Sequence, residues 1–185
     1  MTAPIYDVQR ASKLNTKLHL SGVSLFEMHA KHIVSAQVPE PRLTFSLRQR
    51  EVSYAALGND VLPVYVLEVT LEHLDDKDNP VPLGEITVAM RAAYAKQASW
   101  TDEDGAYLDD FVGIVGWMHV WPYIRAEVQA LSSKLGFPAL TLPPLLAGQT
   151  KNIPVRRLHP ARTRPAASPR KKLAKARSKK PAKTR

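Results

Sequence analysis

The chain has 185 residues, enough for one domain with a real core plus additional sequence. It has no cysteine, which excludes disulfides, thiolate metal sites and cysteine nucleophiles and suits a reducing compartment. The net charge of +9 is unevenly divided: residues 1–150 carry 12 Lys/Arg against all 17 Asp/Glu, a balance of −5, whereas residues 151–185 carry 14 Lys/Arg and no acid. A partner inferred from the basic overall charge therefore belongs to the C-terminal stretch alone.

The opening residues MTAPIYDVQR lack the basic start and apolar run of a signal peptide, and the longest apolar stretch, Phe111–Met118, is too short to span a bilayer. The expected location is the cytoplasm. Residues 1–15 admit a short helix or a loose arm. From Thr16 the pattern turns strand-like: Leu18 and Leu20 alternate with polar residues, then Val23 and Leu25 continue in the opposite phase. Such a phase change across Ser21-Gly22 is what a β-bulge produces. Pro39 and Pro41 close this section.

The segment RLTFSLR, residues 42–48, is the clearest strand, with Leu43, Phe45 and Leu47 on one face. Gly58-Asn59-Asp60 predicts a turn, and Tyr65, Leu67, Val69 and Leu71 form one face of a third strand. The cluster from Asp75 to Pro80 is a second turn. Gly84–Arg91 is a fourth strand, with Ile86, Val88 and Met90 on one side. Short connections and half-polar faces argue for an antiparallel sheet.

Thr101 followed by three acids is a helix start. The helix is expected to run toward Met118, where Gly113 and Gly116 either weaken it or admit the close approach of another chain. A second helix is predicted from Pro122 as its first residue, with Ile124, Val128, Leu131 and Leu135 as its apolar stripe. Gly136 takes the left-handed position after its end, Phe137 packs back toward Leu131, and Pro138 prevents resumption. The fold class is therefore α+β, a four-stranded antiparallel sheet followed by a broken helical segment, with a disordered basic C-terminal tail. The domain is placed at residues 1–148 and the tail at 149–185.

The order Trp-Pro-Tyr-x-Arg, a dozen helical residues, then Gly-Phe-Pro-x-Leu-x-Leu-x-Pro resembles the SecB family of export chaperones. The matching residues are Pro122, Tyr123, Arg125, Glu127, Phe137, Pro138, Leu140, Leu142 and Pro144. The resemblance implies an ATP-independent chaperone whose subunits pair into a dimer of dimers and hold an unfolded polypeptide in hydrophobic grooves. Positions implied for client binding are Trp117, Trp121, Tyr123, Phe137, Leu140 and Leu142. Acidic residues of the family dock the motor ATPase SecA, and the counterparts here are Asp75 and Asp76 in the turn before the fourth strand, with Glu27 on the first. Solitary SecB-like chaperones stabilise antitoxins of toxin–antitoxin systems, so preprotein and antitoxin are both open as clients. After Pro144 the chain departs from the family, because its next segment lacks the period of an amphipathic C-terminal helix.

No catalytic constellation accompanies this. The histidines lie in no metalloprotease pattern and no phosphate-binding glycine motif is present. His29 and His32 offer the spacing of a metal pair, and Asp75, Asp76 and Asp78 part of a calcium loop, but polar strand-end and solvated-turn readings are preferred. No metal or cofactor is expected. The three tryptophans fall within residues 100–121; as a set they read either as core or as surface for exposed apolar chains. The tail, through Arg170, Lys171, Lys172, Lys175, Arg177, Lys179 and Lys180, is suited to polyanions such as nucleic acid or an anionic membrane. A nucleic-acid-associated protein acting through this tail is the alternative function.

Overall fold

A computed structural model describes residues 6–33, 43–75, 77–146, 149–150 and 153–158. The N-terminal segment forms a helix, α1 (Val8–Leu14), capped by Asp7, whose carboxylate accepts the Gln9 and Arg10 N–H groups. The Asp7 N–H in turn donates to the Asp110 carboxylate at 2.9 Å, tying α1 to the later helical layer.

Among the described residues six strands follow in one sheet: β1 (Leu18–His32), β2 (Leu43–Gln49), β3 (Val52–Leu57), β4 (Asp60–Leu74), β5 (Pro80–Lys96) and β6 (Val155–Leu158). The order is β1-β5-β4-β3-β6, with β2 also on β4. All pairings are antiparallel except β3 with β6. The expected bulge lies between Leu20 and Gly22, and a second lies between Leu25 and Glu27.

The four-strand expectation is corrected to six. β2 and β3 run in succession along the same side of β4, from Leu43↔His73 to Gln49↔Leu67 and then from Ser53↔Val64 to Leu57↔Asp60. Arg50 bridges the change by donating its N–H to Val66 O at 3.0 Å. VSYAAL is short and ends in residues of weak strand preference, so its pairing depends on β4. Gly58, at φ +55, turns β3 into β4 as the sequence predicts.

The helical layer is continuous where a break was expected. A 3-10 turn (Asp102–Tyr107), α2 (Leu108–Phe111), a π segment (Val112–Gly116) and α3 (Trp117–Lys134) succeed one another without a gap. Asp104 accepts the Thr101 N–H at 2.7 Å, closing the predicted start. Pro122 lies inside α3 and not at its first position. Proline there costs about 3 kcal/mol. Trp117, Val120, Trp121, Ile124, Val128 and Leu131 are all buried along one stripe, and each such burial contributes about 1.5–3 kcal/mol, so packing outweighs the local preference.

The glycines of the π segment admit side chains of the same chain. A Cβ at Gly113 would meet the Tyr6 ring at 2.9 Å, and one at Gly116 would lie 1.7 Å from the Tyr65 hydroxyl. Tyr65 donates to Val112 O at 3.3 Å, within the π segment.

At the far end Gly136 has φ +83. The Phe137 N–H reaches Ser132 O at 3.0 Å and the Gly136 N–H reaches Ser133 O at 3.1 Å, the paired bonds of a Schellman stop. The exit segment then runs back along α3. Its Leu140 N–H donates to Ser132 Oγ at 2.9 Å, and Trp121 Nε1 donates to Pro143 O at 3.0 Å. Beyond residue 148, Ile153 is buried and β6 pairs with β3 along the sheet edge as far as Leu158.

Candidate functional site

α3 crosses one face of the sheet mainly over β5, touching β1 and β4 less. Both flanks of that face are left partly bare. On the β2 flank, strand alternation brings Leu47 and Gln49 to the helix side, opposite Val69 and Leu67. There they face the exit segment, whose prolines keep it extended. The result is a groove of about 160 Å3 lined by Leu47, Leu67, Trp121, Pro143, Leu145 and neighbouring residues.

On the opposite flank, Leu25 and Met28 pair with the buried Met90 and Val88, which puts them on the helix side of the sheet. The helix does not reach far enough to cover them, and they are 42% and 48% exposed. The second bulge places Phe26, 50% exposed, against the Arg91 guanidinium, 4.4 Å from its ring centre. β1 is thus a 15-residue edge strand with apolar side chains on both faces. Long, exposed, apolar edges are surfaces that chains normally protect unless a partner covers them.

The residues proposed from the sequence for client binding divide. Trp117 and Leu142 have no exposed surface, and Trp121 and Leu140 are nearly enclosed. Trp117 packs edge-on against Tyr65 at 5.2 Å and lies 6.4 Å from Trp121 between ring centres. These four are core in this conformation, and only Trp121 also presents an edge to the β2 groove. Tyr123 stands exposed on α3. Phe137 is half-buried on the other side, its ring 5.3 Å from that of His32 and in contact with the Gly84 position. The six therefore do not form one surface. Leu25, Phe26, Met28 and Leu47, which the sequence argument did not assign to client binding, are among the exposed large apolar side chains. The alternation of β1 and β2 was legible, but how far the helix extends over them was not.

The acidic positions are likewise separated. Glu27 pairs with Ala89 and Leu74 with Pro80, nine positions apart along β5, or about 30 Å at strand rise. The Asp75 carboxylate accepts the Lys77 and Asn79 N–H groups, both at 2.8 Å, and so is turned toward its own loop. Those bonds hold its pKa below the ordinary carboxylate value. Asp76 and the tail residues Arg170, Lys171, Lys172, Lys175, Arg177, Lys179 and Lys180 lie outside the described residues.

His29 and His32 are three apart in a strand segment without a bulge between them, so they face opposite sides. Among the described residues no three potential ligands come together as a metal site. A depression of about 450 Å3 is polar and lies by Ser46, Arg48, Glu68, Thr70, Glu85 and Thr87. Glu68 there is paired with Arg50 and Arg48.

The strongly perturbed groups are packed ones. Burial raises the pKa of Tyr54, Tyr65 and Tyr94 and lowers that of His119. The Lys17 ammonium, 2.7 Å away, holds Asp104 below its ordinary value. No helix among the described residues is long and apolar enough to cross a membrane.

Neither a protein-family model nor a curated protein sequence matches the chain. Comparison with solved structures defines the class: the fold is SecB-like. The relevant likeness is to a SecB-like chaperone of Mycobacterium tuberculosis, solved in complex with a ChAD peptide from the HigA1 antitoxin. The TM-score is 0.64 at 18% identity, covering 74% of this chain and 97% of that one. A protein of unknown function from Streptococcus agalactiae aligns with a TM-score of 0.38 and 13% identity over 69% of this chain and 97% of its own.

Proposed function

We propose that this chain is an ATP-independent chaperone that holds non-native polypeptides by hydrophobic contact. The observation that carries the reading is the uncovered apolar surface on both sides of α3, at Leu25 and Met28 on the β1 edge and at the groove of Leu47, Trp121 and Leu145, with Phe26 exposed on the other face of β1. An extended client would lie beside the sheet and place apolar side chains in the groove, with Phe137 on the opposite flank beside His32 and Tyr123 exposed on α3. Part of the β1 surface would be covered by a second copy in a dimer or a dimer of dimers. The likeness in fold to a chaperone solved with an antitoxin peptide supports an antitoxin as client. A preprotein handed to SecA is the less favoured client, since Asp75 is engaged in its own loop and Glu27 is remote from it. The reading places the protein in the cytoplasm.

One observation favours a second reading. Residues 151–185 carry 14 Lys/Arg and no acid, a composition that binds nucleic acid through counterion release. The test is suppression of aggregation of a chemically unfolded client by the full chain, by its Leu47→Glu variant and by a chain ending at Leu158. The chaperone reading expects the shortened chain to act like the full one in moderate salt, and Leu47→Glu to weaken suppression severalfold. Activity that disappears with residues 159–185 and falls steeply with salt would transfer the function to the tail.

A further inference from the structure

β6 is the parallel strand of an otherwise antiparallel sheet, and it comes from the far end of the described chain. Its ladder is short: Val52↔Val155, Ser53↔Arg156, Tyr54↔Arg157 and Ala55↔Leu158. The Val52 N–H donates to Pro154 O at 2.8 Å. By alternation Val155 and Arg157 share the helix side with the buried Val52 and Tyr54, while Arg156 and Leu158 face the other way.

What receives this strand is built for it. Ile153 sinks into the main core, and Val155 packs on the small cluster of Tyr6, Ala11 and Ile114. The Val155 N–H, on the side away from β3, donates to the Tyr6 hydroxyl oxygen. Glu51, Asp109 and Asp110 surround that seat closely enough to add to the burial that pushes the Tyr6 pKa up to about 12. Tyr54 donates to the Asp109 carboxylate at 2.8 Å and feels the Arg157 charge. An acidic seat thus receives a segment, Ile153–Leu158, that carries two arginines and no acid.

We propose that the β3 edge, backed by Tyr6 and Ile114, is a strand-accepting site for an extended peptide of the pattern apolar-Pro-apolar-basic-basic-apolar, and that residues 153–158 are its resident, exchangeable occupant. Recognition is by main-chain hydrogen bonds along β3, with two apolar anchors setting register and the acids favouring basic residues after them. Exchange follows from the short ladder and from the exposure of Arg156, Arg157 and Leu158. The covalent tether gives the resident strand an effective concentration on the order of millimolar, so a free peptide enters readily only when the resident is weakened. This site is on the edge opposite β1 and does not rest on the chaperone reading.

The test uses the full chain and a fluorescent peptide of residues 150–159, followed by anisotropy. Because the chain has no cysteine, Ser53→Cys with Arg156→Cys forms one defined disulfide across a register pair, whose strand spacing of about 4.8 Å suits the bond. A second variant, Ile153→Asp with Val155→Asp, weakens the resident strand and leaves the acceptor intact. The expected result is that the oxidised cysteine pair excludes the peptide and its reduced form admits it at millimolar concentration. The aspartate variant should bind at least tenfold more tightly than the native chain and regain melting temperature on binding. A peptide carrying the same two aspartates should bind neither. Equal peptide binding by oxidised and reduced forms overturns the proposal, and so does a pair of cysteines that fails to form the disulfide. If the aspartate variant does not fold, the oxidised-against-reduced comparison alone decides.

Discussion

The Tyr65 hydroxyl occupies the space that a side chain at residue 116 would need: a Cβ built on Gly116 lies 1.7 Å from it. The same hydroxyl donates to Val112 O, so one contact between β4 and the helical layer joins the absence of a side chain to the π-helical turn. Gly116→Ala should destabilise the protein by about 1–3 kcal/mol in urea unfolding, despite alanine's better helix preference, because overpacking a filled core forces backbone shifts. Tyr65→Phe should partly rescue it. A double variant as unstable as the sum of the single ones would show that the two positions do not compete for space.

Stability should fall on mild acidification through His119. Burial lowers its folded pKa below the ordinary value, about 6.5 for an unperturbed imidazole. As the pH falls through that value the unfolded chain takes up the proton first, so the folded state loses ground until its own pKa is passed. His119→Asn should flatten the melting temperature between about pH 7 and 5. An unchanged slope in that variant would assign the effect to another group.

At lower pH the limb belongs to Asp104, which is held below its ordinary pKa by Lys17 and by the Thr101 N–H. Its contribution is complete above the unfolded carboxylate value of about 3.9 and is lost as the pH falls through the folded one. Asp104→Asn should therefore be less stable than the native chain at pH 7, with the gap closing in strong acid. A gap that stays constant with pH would contradict the ion pair.

The helix stop offers two substitutions of different size. Gly136→Ala forces a side chain into φ +83 and should cost about 1 kcal/mol. Ser132→Ala leaves the buried Leu140 N–H without its 2.9 Å acceptor and should cost about 1–3 kcal/mol. Hydrogen exchange at Leu140 separates the two: it should accelerate strongly in Ser132→Ala and weakly in Gly136→Ala.

The β1 edge should be functionally important and energetically minor for folding. Leu25→Ser with Met28→Ser removes apolar surface that is already about half in water, so unfolding free energy should change by less than about 1 kcal/mol in the isolated chain. Client binding or self-association should weaken tenfold or more. Loss of stability without loss of either interaction would make these residues ordinary core.

The single chain of amino acids was sufficient for the α+β class, the bulge at Ser21-Gly22, the turn at Gly58, the capped start at Thr101 and the left-handed stop at Gly136. Each of these depends on residues within a few positions of one another, where φ, capping and alternation act directly. Local preference was also what misled: Pro122 reads as a helix start, yet the buried stripe from Trp117 to Leu131 carries α3 through it. Tertiary structure alone decided that β3 continues β2 along β4, that Val155–Leu158 returns to β3, and that Trp117 and Leu142 are enclosed while Leu25, Phe26, Met28 and Leu47 are not. Apolar periodicity tells which side of a strand faces the helix layer; only the length and placement of that helix determine which of those residues it covers.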